Sequence, residues 1–328
     1  MPCALPAQAP STSQTTWSIT VVLPPRIVAG RPATLAALGV DGRLASGVKV
    51  EIGDQEVTTD RAGRAVFNAP ASAGYILATA SGASFATLVD PSSSDSPGAL
   101  TVQPAISLHD QFSICGNGLS GDAEGNLVKI NGVLSLVLAA SPECIVVLPG
   151  PKVTSGLATI TVATETAQFT AKTSIVSLAF EAPNPGLMPG KRGDLFVRVA
   201  GSDRRLRLIV ENQTPGVLRF LHGDAQQAVT SGGAQNEVAI RVQAVTSGDF
   251  SFHARVIGAA DPAVARRYLQ AAQLLAPKNE QRNIQKLIDA LDRHPQQFAR
   301  AAAALNRIRL ATIAGDLRTL LDAAQAAL

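Results

Sequence analysis

The chain has 328 residues, 46% of them hydrophobic, which is enough apolar material for about two to three domains with their own cores and excludes disorder throughout. Its 28 basic and 25 acidic residues leave a net charge of +3, too balanced for a nucleic-acid-binding protein, which must neutralise several phosphates at once. Aromatics at 4% and charged residues at 16%, beside 27 glycines and 20 prolines, are the composition of many short strands joined by tight turns, so an all-β body is expected. No apolar run reaches the roughly 20 residues of a membrane-spanning helix.

Residues 1–16 read as an arm. Met1-Pro2-Cys3-Ala4-Leu5-Pro6-Ala7-Gln8-Ala9 ends in the small residues of a secretory signal but lacks its basic start and apolar centre, leaving two readings open: a truncated signal or a disordered arm. From Trp17 to Asp90 apolar residues alternate in short runs, among them Ile19-Val21, Val48-Val50-Ile52 and Ala65-Val66-Phe67, the period of half-buried strands. Asp41-Gly42, Gly53-Asp54 and Asp60-Arg61-Ala62-Gly63 sit between these runs, where hairpins must turn. The hairpin Thr59-Asp60, Gly63, Ala65, Phe67 resembles that of bacterial Ig-like and carboxypeptidase-regulatory-like β-sandwiches, which implies one such sandwich over 17–90. Residues 91–99 are Ser- and Pro-rich with little to bury, and read as a linker.

Within 100–173, Gly116-Asn117-Gly118-Leu119-Ser120-Gly121 formally matches the dinucleotide-binding fingerprint. That motif holds a pyrophosphate only where its glycine turn opens a helix, whereas here a second turn leads into the strand-like Leu127-Val128-Lys129-Ile130, so the phosphate reading fails. The Gly116–Leu119 turn, the Val128–Gly132 strand and turn, Ser141-Pro142 and Val147-Leu148-Pro149 together resemble an IPT/TIG domain. The resemblance implies an immunoglobulin-like sandwich of surface and adhesive proteins, a binding or structural module without a cofactor. Leu119 departs from it, because the family usually has an aromatic there. Cys115 and Cys144 fall on an early and a later strand of this sandwich, with Cys3 isolated in the arm. In an exported chain they are expected to form a bridge closing a loop of about 30 residues.

A third β unit is expected over 174–258, from the alternation in Leu195-Val197-Val199, Leu206-Leu208-Val210 and Val238-Ile240-Val242. The period then becomes helical over 259–328. Asp261-Pro262 is a capping residue followed by proline at the first helical position. Val264, Tyr268, Ala271 and Leu275 mark one apolar face, Ile284, Leu287, Ile288 and Leu291 a second, and a third runs for more than 25 residues from Phe298 through Leu305, Ile313, Leu317 and Leu320, with Gly315 as a point of kinking or division. A stripe of that length closes a local bundle or docks elsewhere. Phe298, Leu305, Ile313, Leu317 and Leu320 are therefore candidate interaction residues, on a module separable from the sandwiches.

Chemistry is sought with little return. His109, His222, His253 and His294 are scattered, without Cys, His or carboxylate at metal-ligand spacing. Asp122, Glu124 and Asn126 begin like a calcium loop, but Leu127 stands where glycine is required and Val133 where the bidentate glutamate belongs. The cluster Arg198, Arg204, Arg205 and Arg207 reads as a solvated sheet face. No catalytic residues, cofactor or metal site are assigned. The expected protein is mainly β: three Ig-like β-sandwiches in series, followed by a C-terminal α-helical hairpin or small bundle. Its expected role is non-catalytic binding or scaffolding in a bacterial secreted, periplasmic or cell-surface setting, in adhesion or assembly. Protein or cell-surface glycan is the expected partner, with self-association through the C-terminal helices, and without nucleic acid or a transmembrane segment. The alternative is an accessory subunit of a secreted enzyme or surface machine.

Overall fold

A computed structural model of the chain describes residues 19–91, 98–181, 186–221, 226–231, 236–258, 260–294, 297–312 and 315–328. The arm at 1–16, most of the 91–99 stretch, His222, Ile313 and the Phe298 side chain lie outside the described residues. The first period-two segments become β1 (Thr20–Val22), β2 (Arg26–Val28), β3 (Pro32–Leu38), β4 (Lys49–Ile52), β5 (Gln55–Thr58), β6 (Arg64–Asn68), β7 (Gly74–Ala80) and β8 (Ala83–Asp90). They stack as two sheets, β1-β3-β6 and β2-β8-β7-β4-β5, around Ile27, Leu35, Val50, Ile52, Phe67 and Ile76. The Thr59-Asp60…Gly63 motif owes its form to three local demands. Thr59 Oγ1 donates to Ala45 O at 2.7 Å, Asp60 Oδ1 accepts from the amides of Ala62 and Arg64, and Gly63, at φ +71°, leaves room for Leu44, which a Cβ would meet at 2.7 Å.

The second sandwich is made of β9 (Thr101–Val102), β10 (Ala105–Ser107), β11 (Phe112–Cys115), β12 (Leu127–Ile130), β13 (Val133–Ala140), β14 (Cys144–Leu148), β15 (Gly156–Ala163) and the first half of β16 (Gln168–Glu181). Ile114, Val128, Ile130, Ile145, Val147 and Ile160 fill its core. Cys115 and Cys144 face each other across the antiparallel β11–β14 pair and are joined by a disulfide. The third sandwich adds β17 (Arg192–Ala200), β18 (Arg207–Asn212), β19 (Leu218–Phe220), β20 (Gln226–Thr230), β21 (Glu237–Ala244) and β22 (Phe252–Val256), with sheets β16-β17-β21-β19 and β20-β18-β22 around Leu195, Leu208, Val210, Phe220, Ile240 and Val242.

Two strands belong to more than one unit, and they stiffen the chain. β16 pairs β15 over Gln168–Ile175 and β17 over Ser177–Glu181, so the second and third sandwiches share a continuous hydrogen-bonded strand rather than a linker. β13 bends at a bulge between Val137 and Ala139, switches sheets, and pairs at Ala140 with Thr34 of β3. One network of 14 strands therefore runs through all three sandwiches.

Four helices follow: α1 (Pro262–Leu275), α2 (Lys278–Arg293), α3 (Phe298–Ala311) and α4 (Asp316–Ala327). Asp261 caps α1 as its sequence indicates, its Oδ1 accepting from the amides of Ala263 and Val264 at 3.1 and 3.0 Å. The long third stripe is divided into two helices. Gly315 takes φ +141°, and Arg318 donates to the carbonyls of Arg309 and Thr312 at the end of α3. The helices pack on the first sandwich. Leu88 of β8 is 1% exposed and belongs to the helical core, with Tyr75, Leu77 and Ala86 packed beside it, so the bundle covers the outer face of β7–β8.

Candidate functional site

Each junction between units is specific. Between the first and second sandwiches, Val22, Ala36, Leu138, Ala139 and Val146 form an apolar core of their own. Thr34 Oγ1 donates to Gly121 O at 2.7 Å and accepts from Ala123 N at 3.1 Å, while Ser141 Oγ donates to Arg26 O at 2.7 Å. The glycine run that mimics a nucleotide fingerprint serves this contact: a Cβ on Gly121 would lie 2.2 Å from Pro32 O. The calcium-like Asp122, Glu124 and Asn126 build the adjoining turn. Asp122 Oδ1 accepts from Glu124 N at 3.0 Å, and Asn126 Nδ2 donates to the carbonyls of Ser120 and Asp122.

The helical bundle is clamped at both ends. Arg267 of α1 pairs with Asp90, at the end of β8, and donates to Val89 O at 3.1 Å; Asp90 is also 3.9 Å from Arg26. The neighbouring Tyr268 is 6% exposed, and burial pushes its phenol up to about 12, Arg267 opposing the shift and Asp90 adding to it. On the other side Arg207 of β18 donates to Leu328 O at 2.9 Å. First sandwich, second, third, helices and first again thus form a closed ring.

The ring encloses a cleft of about 1020 Å³, and all four units contribute to its wall. β1 and β8 supply Thr20 and the half-buried Phe85, and the β10–β11 loop supplies Asp110 and Gln111. β18 and β22 bring Glu211, His253 and Arg255 to one sheet face, with Glu211 and His253 directly opposite each other in register. α4 closes the wall with Thr319, Asp322 and Ala323. His253 Nε2 donates to Asp110 Oδ1 at 2.8 Å, and its Nδ1 lies 3.9 Å from Glu211, so the imidazole stands between the two carboxylates and links the second sandwich to the third. Val256 N donates to the buried Ser107 Oγ at 2.8 Å beside it.

Of the residues singled out in the sequence, Cys115 and Cys144 are brought together. Leu305 and Leu320 are fully buried in the bundle core and Leu317 packs against it, so these three described residues of the stripe are taken up by the chain's own helices. Covering an apolar stripe inside the chain removes the same surface from water that a partner would. Arg198 is 61% exposed and paired with Glu181 and Glu237, a solvated position. Arg207 is spent on the clamp. The cleft residues Asp110, Glu211, Arg255 and Asp322 were not singled out, and His253 was read as isolated; 143 positions separate it from Asp110, so spacing carries no signal. Among the described residues, no group of three His, Cys, Asp or Glu could hold a metal, and no helix is long and apolar enough to cross a membrane.

The fold defines a multi-domain Ig-like β-sandwich protein with a C-terminal helical bundle. No protein-family model matches the chain, and no curated protein matches it. Among solved structures it is similar to the plexin A4 extracellular region, at 13% identity, covering 76% of this chain and 24% of that one with a TM-score of 0.30. It is similar also to SGBP-B from a complex xyloglucan utilization locus of Bacteroides uniformis (9% identity, 74% and 97% covered, TM-score 0.27). A third similarity is to SGBP-B of the Bacteroides ovatus mixed-linkage glucan utilization locus, in complex with a heptasaccharide (13%, 71% and 72%, TM-score 0.23). At such identities and scores these similarities carry no argument about function.

Proposed function

We propose that the chain is a non-catalytic, extracytoplasmic binding and scaffolding protein of the cell surface, and that the central cleft is its binding site. The observation that carries the proposal is the convergence of all four units on one cleft, held by a shared strand, an apolar junction and two arginine clamps. Such preorganisation lowers the entropic cost of binding, and clefts between domains are preferred ligand sites. The pairing of the cleft's three carboxylates, Asp110, Glu211 and Asp322, with side chains of the chain itself supports a binding role. A cross-strand disulfide supports an oxidising compartment. The second sandwich is read as IPT/TIG-like on its turn and strand motifs.

The test is a binding screen of the purified chain against glycan and surface-protein arrays, repeated with Thr20→Trp. Thr20 is exposed at the cleft rim, so the indole narrows the cleft without entering a core. Loss of binding in a folded variant is expected; unchanged binding moves the site elsewhere.

A further inference from the structure

The cleft carries its own counter-charges. Three carboxylates line it, and each is matched within the protein. Asp110 accepts from His253 at 2.8 Å; Glu211 lies 3.8 Å from Arg255 and accepts from Gln226 Nε2 at 3.0 Å; Asp322 accepts from Arg309 at 2.9 Å and Arg318 at 3.1 Å. Arg309 and Arg318 stand on α3 and α4 behind Asp322, so their charge is directed at that carboxylate. A basic peptide needs uncompensated carboxylates and a polyanion needs unspent cations, and this wall offers neither in excess.

What the wall does present is acceptors and donors side by side: the remaining carboxylate oxygen positions next to the Arg255 guanidinium, with the amides of Gln111 and Gln213 exposed at the rim. A hydroxyl group donates one hydrogen bond and accepts others, so dense alternation of this kind matches a polyhydroxylated ligand. The cleft's about 1020 Å³ stands at the upper end of the roughly 300–1,000 Å³ of small-molecule sites, which gives room for several linked rings.

From these observations we infer that the cleft binds a neutral oligosaccharide. The inference rests on the proposal that the cleft is the binding site and adds the class of ligand. Glu211, Arg255 and Asp110 hold hydroxyls on one wall, and Asp322 holds them on the other. Because the carboxylates are internally paired, binding is independent of ionic strength, unlike that of a charged ligand.

The experiment is isothermal titration of the full chain with neutral gluco-, xylo-, manno- and galacto-oligosaccharides from di- to hexasaccharide, beside an arginine-rich peptide and a sulfated oligosaccharide, at low and high salt. Saturable, salt-independent binding to a neutral oligosaccharide is expected, tightening with length. Gln111→Ala and Gln213→Ala should each weaken it about tenfold, while Lys129→Ala on the outer face of the second sandwich leaves it unchanged. Gln213 is exposed and its side-chain bond, accepted from Ser251 Oγ at 2.7 Å, lies at the surface, so its removal tests the cleft with little effect on the core. Salt-dependent binding of the peptide or sulfated probe alone, weakened by the same cleft variants, overturns the ligand class but leaves the cleft as the site. Neutral-sugar binding that ignores both cleft variants overturns the cleft reading itself. No binding to any neutral oligosaccharide overturns the inference.

Discussion

Replacing Leu88 by alanine probes the contact that closes the ring. Leu88 lies on β8, whose neighbours Thr87 and Val89 point into the first sandwich, while its own side chain points the other way into the helical core and is 1% exposed. Were the helices an independent appendage, Leu88 would be a surface residue and its truncation would change stability by no more than about 0.5 kcal/mol. Packed as it is, the substitution removes buried methyl groups and leaves a cavity that only partly collapses, a cost of about 2–5 kcal/mol in fully buried sites. We expect about 3 kcal/mol, because one wall of the cavity is a sheet that cannot move inward while the other is a bundle that can follow part of the way. Urea unfolding followed by the helical circular-dichroism signal measures it, with Val66→Ala, at a position 57% exposed on β6, as the control. Equal effects of the two substitutions, within about 0.5 kcal/mol, would refute the packing of the bundle on β7–β8. Because α4 carries Thr319, Asp322 and Ala323 into the cleft, the same variant should also weaken any cleft ligand.

Three further outcomes follow from particular residues. Replacing both Cys115 and Cys144 by serine should cost about 3–4 kcal/mol in the chain-entropy model for a bridge of sequence separation 29, read by denaturant titration, and unreduced mass spectrometry of the parent chain should find the pair bonded. Tyr268 titrates at about 12 in the fold against 10 unfolded, so its contribution is fully present below pH 10 and is lost as pH rises through about 12, amounting to about 2–3 kcal/mol; Tyr268→Phe should flatten that alkaline fall, and an unchanged fall would show that another group causes it. Gly121→Ala must push Pro32 away from the second sandwich, so thermal unfolding should shift by the equivalent of about 1–3 kcal/mol, and a neutral result would mean that the sandwich junction is looser than described.

Alternation in β4 and β17, the Asp261-Pro262 cap and the turn glycines were legible because they are local: burial on one face and a capping side chain leave their mark within a few residues. The ring was less legible, yet its contacts left a trace. Leu35-Ala36-Ala37, Tyr75-Ile76-Leu77, Leu88-Val89 and Cys144-Ile145-Val146-Val147 are unbroken apolar runs, and strands of that kind are covered on both faces. In each, one face lies in a sandwich core and the other against a neighbouring unit. The last apolar stripe reads as one length with Gly315 as a point of kinking or division, and the structure takes the second course, two helices that bury each other's faces. The cleft left no mark at all. Asp110, Glu211, His253 and Asp322 come from four separated segments, and only the closure of the chain brings them to one cleft.

Amide hydrogen exchange of the full chain, with and without a compound selected from the arrays, tests most directly whether the four units build one binding site. Added protection is predicted at once in 20–23, 84–86, 110–113, 211–213, 253–255 and 319–323, two segments from the first sandwich, one from the second, two from the third and one from α4. Protection confined to a single unit, with the other segments exchanging as before, would contradict the account.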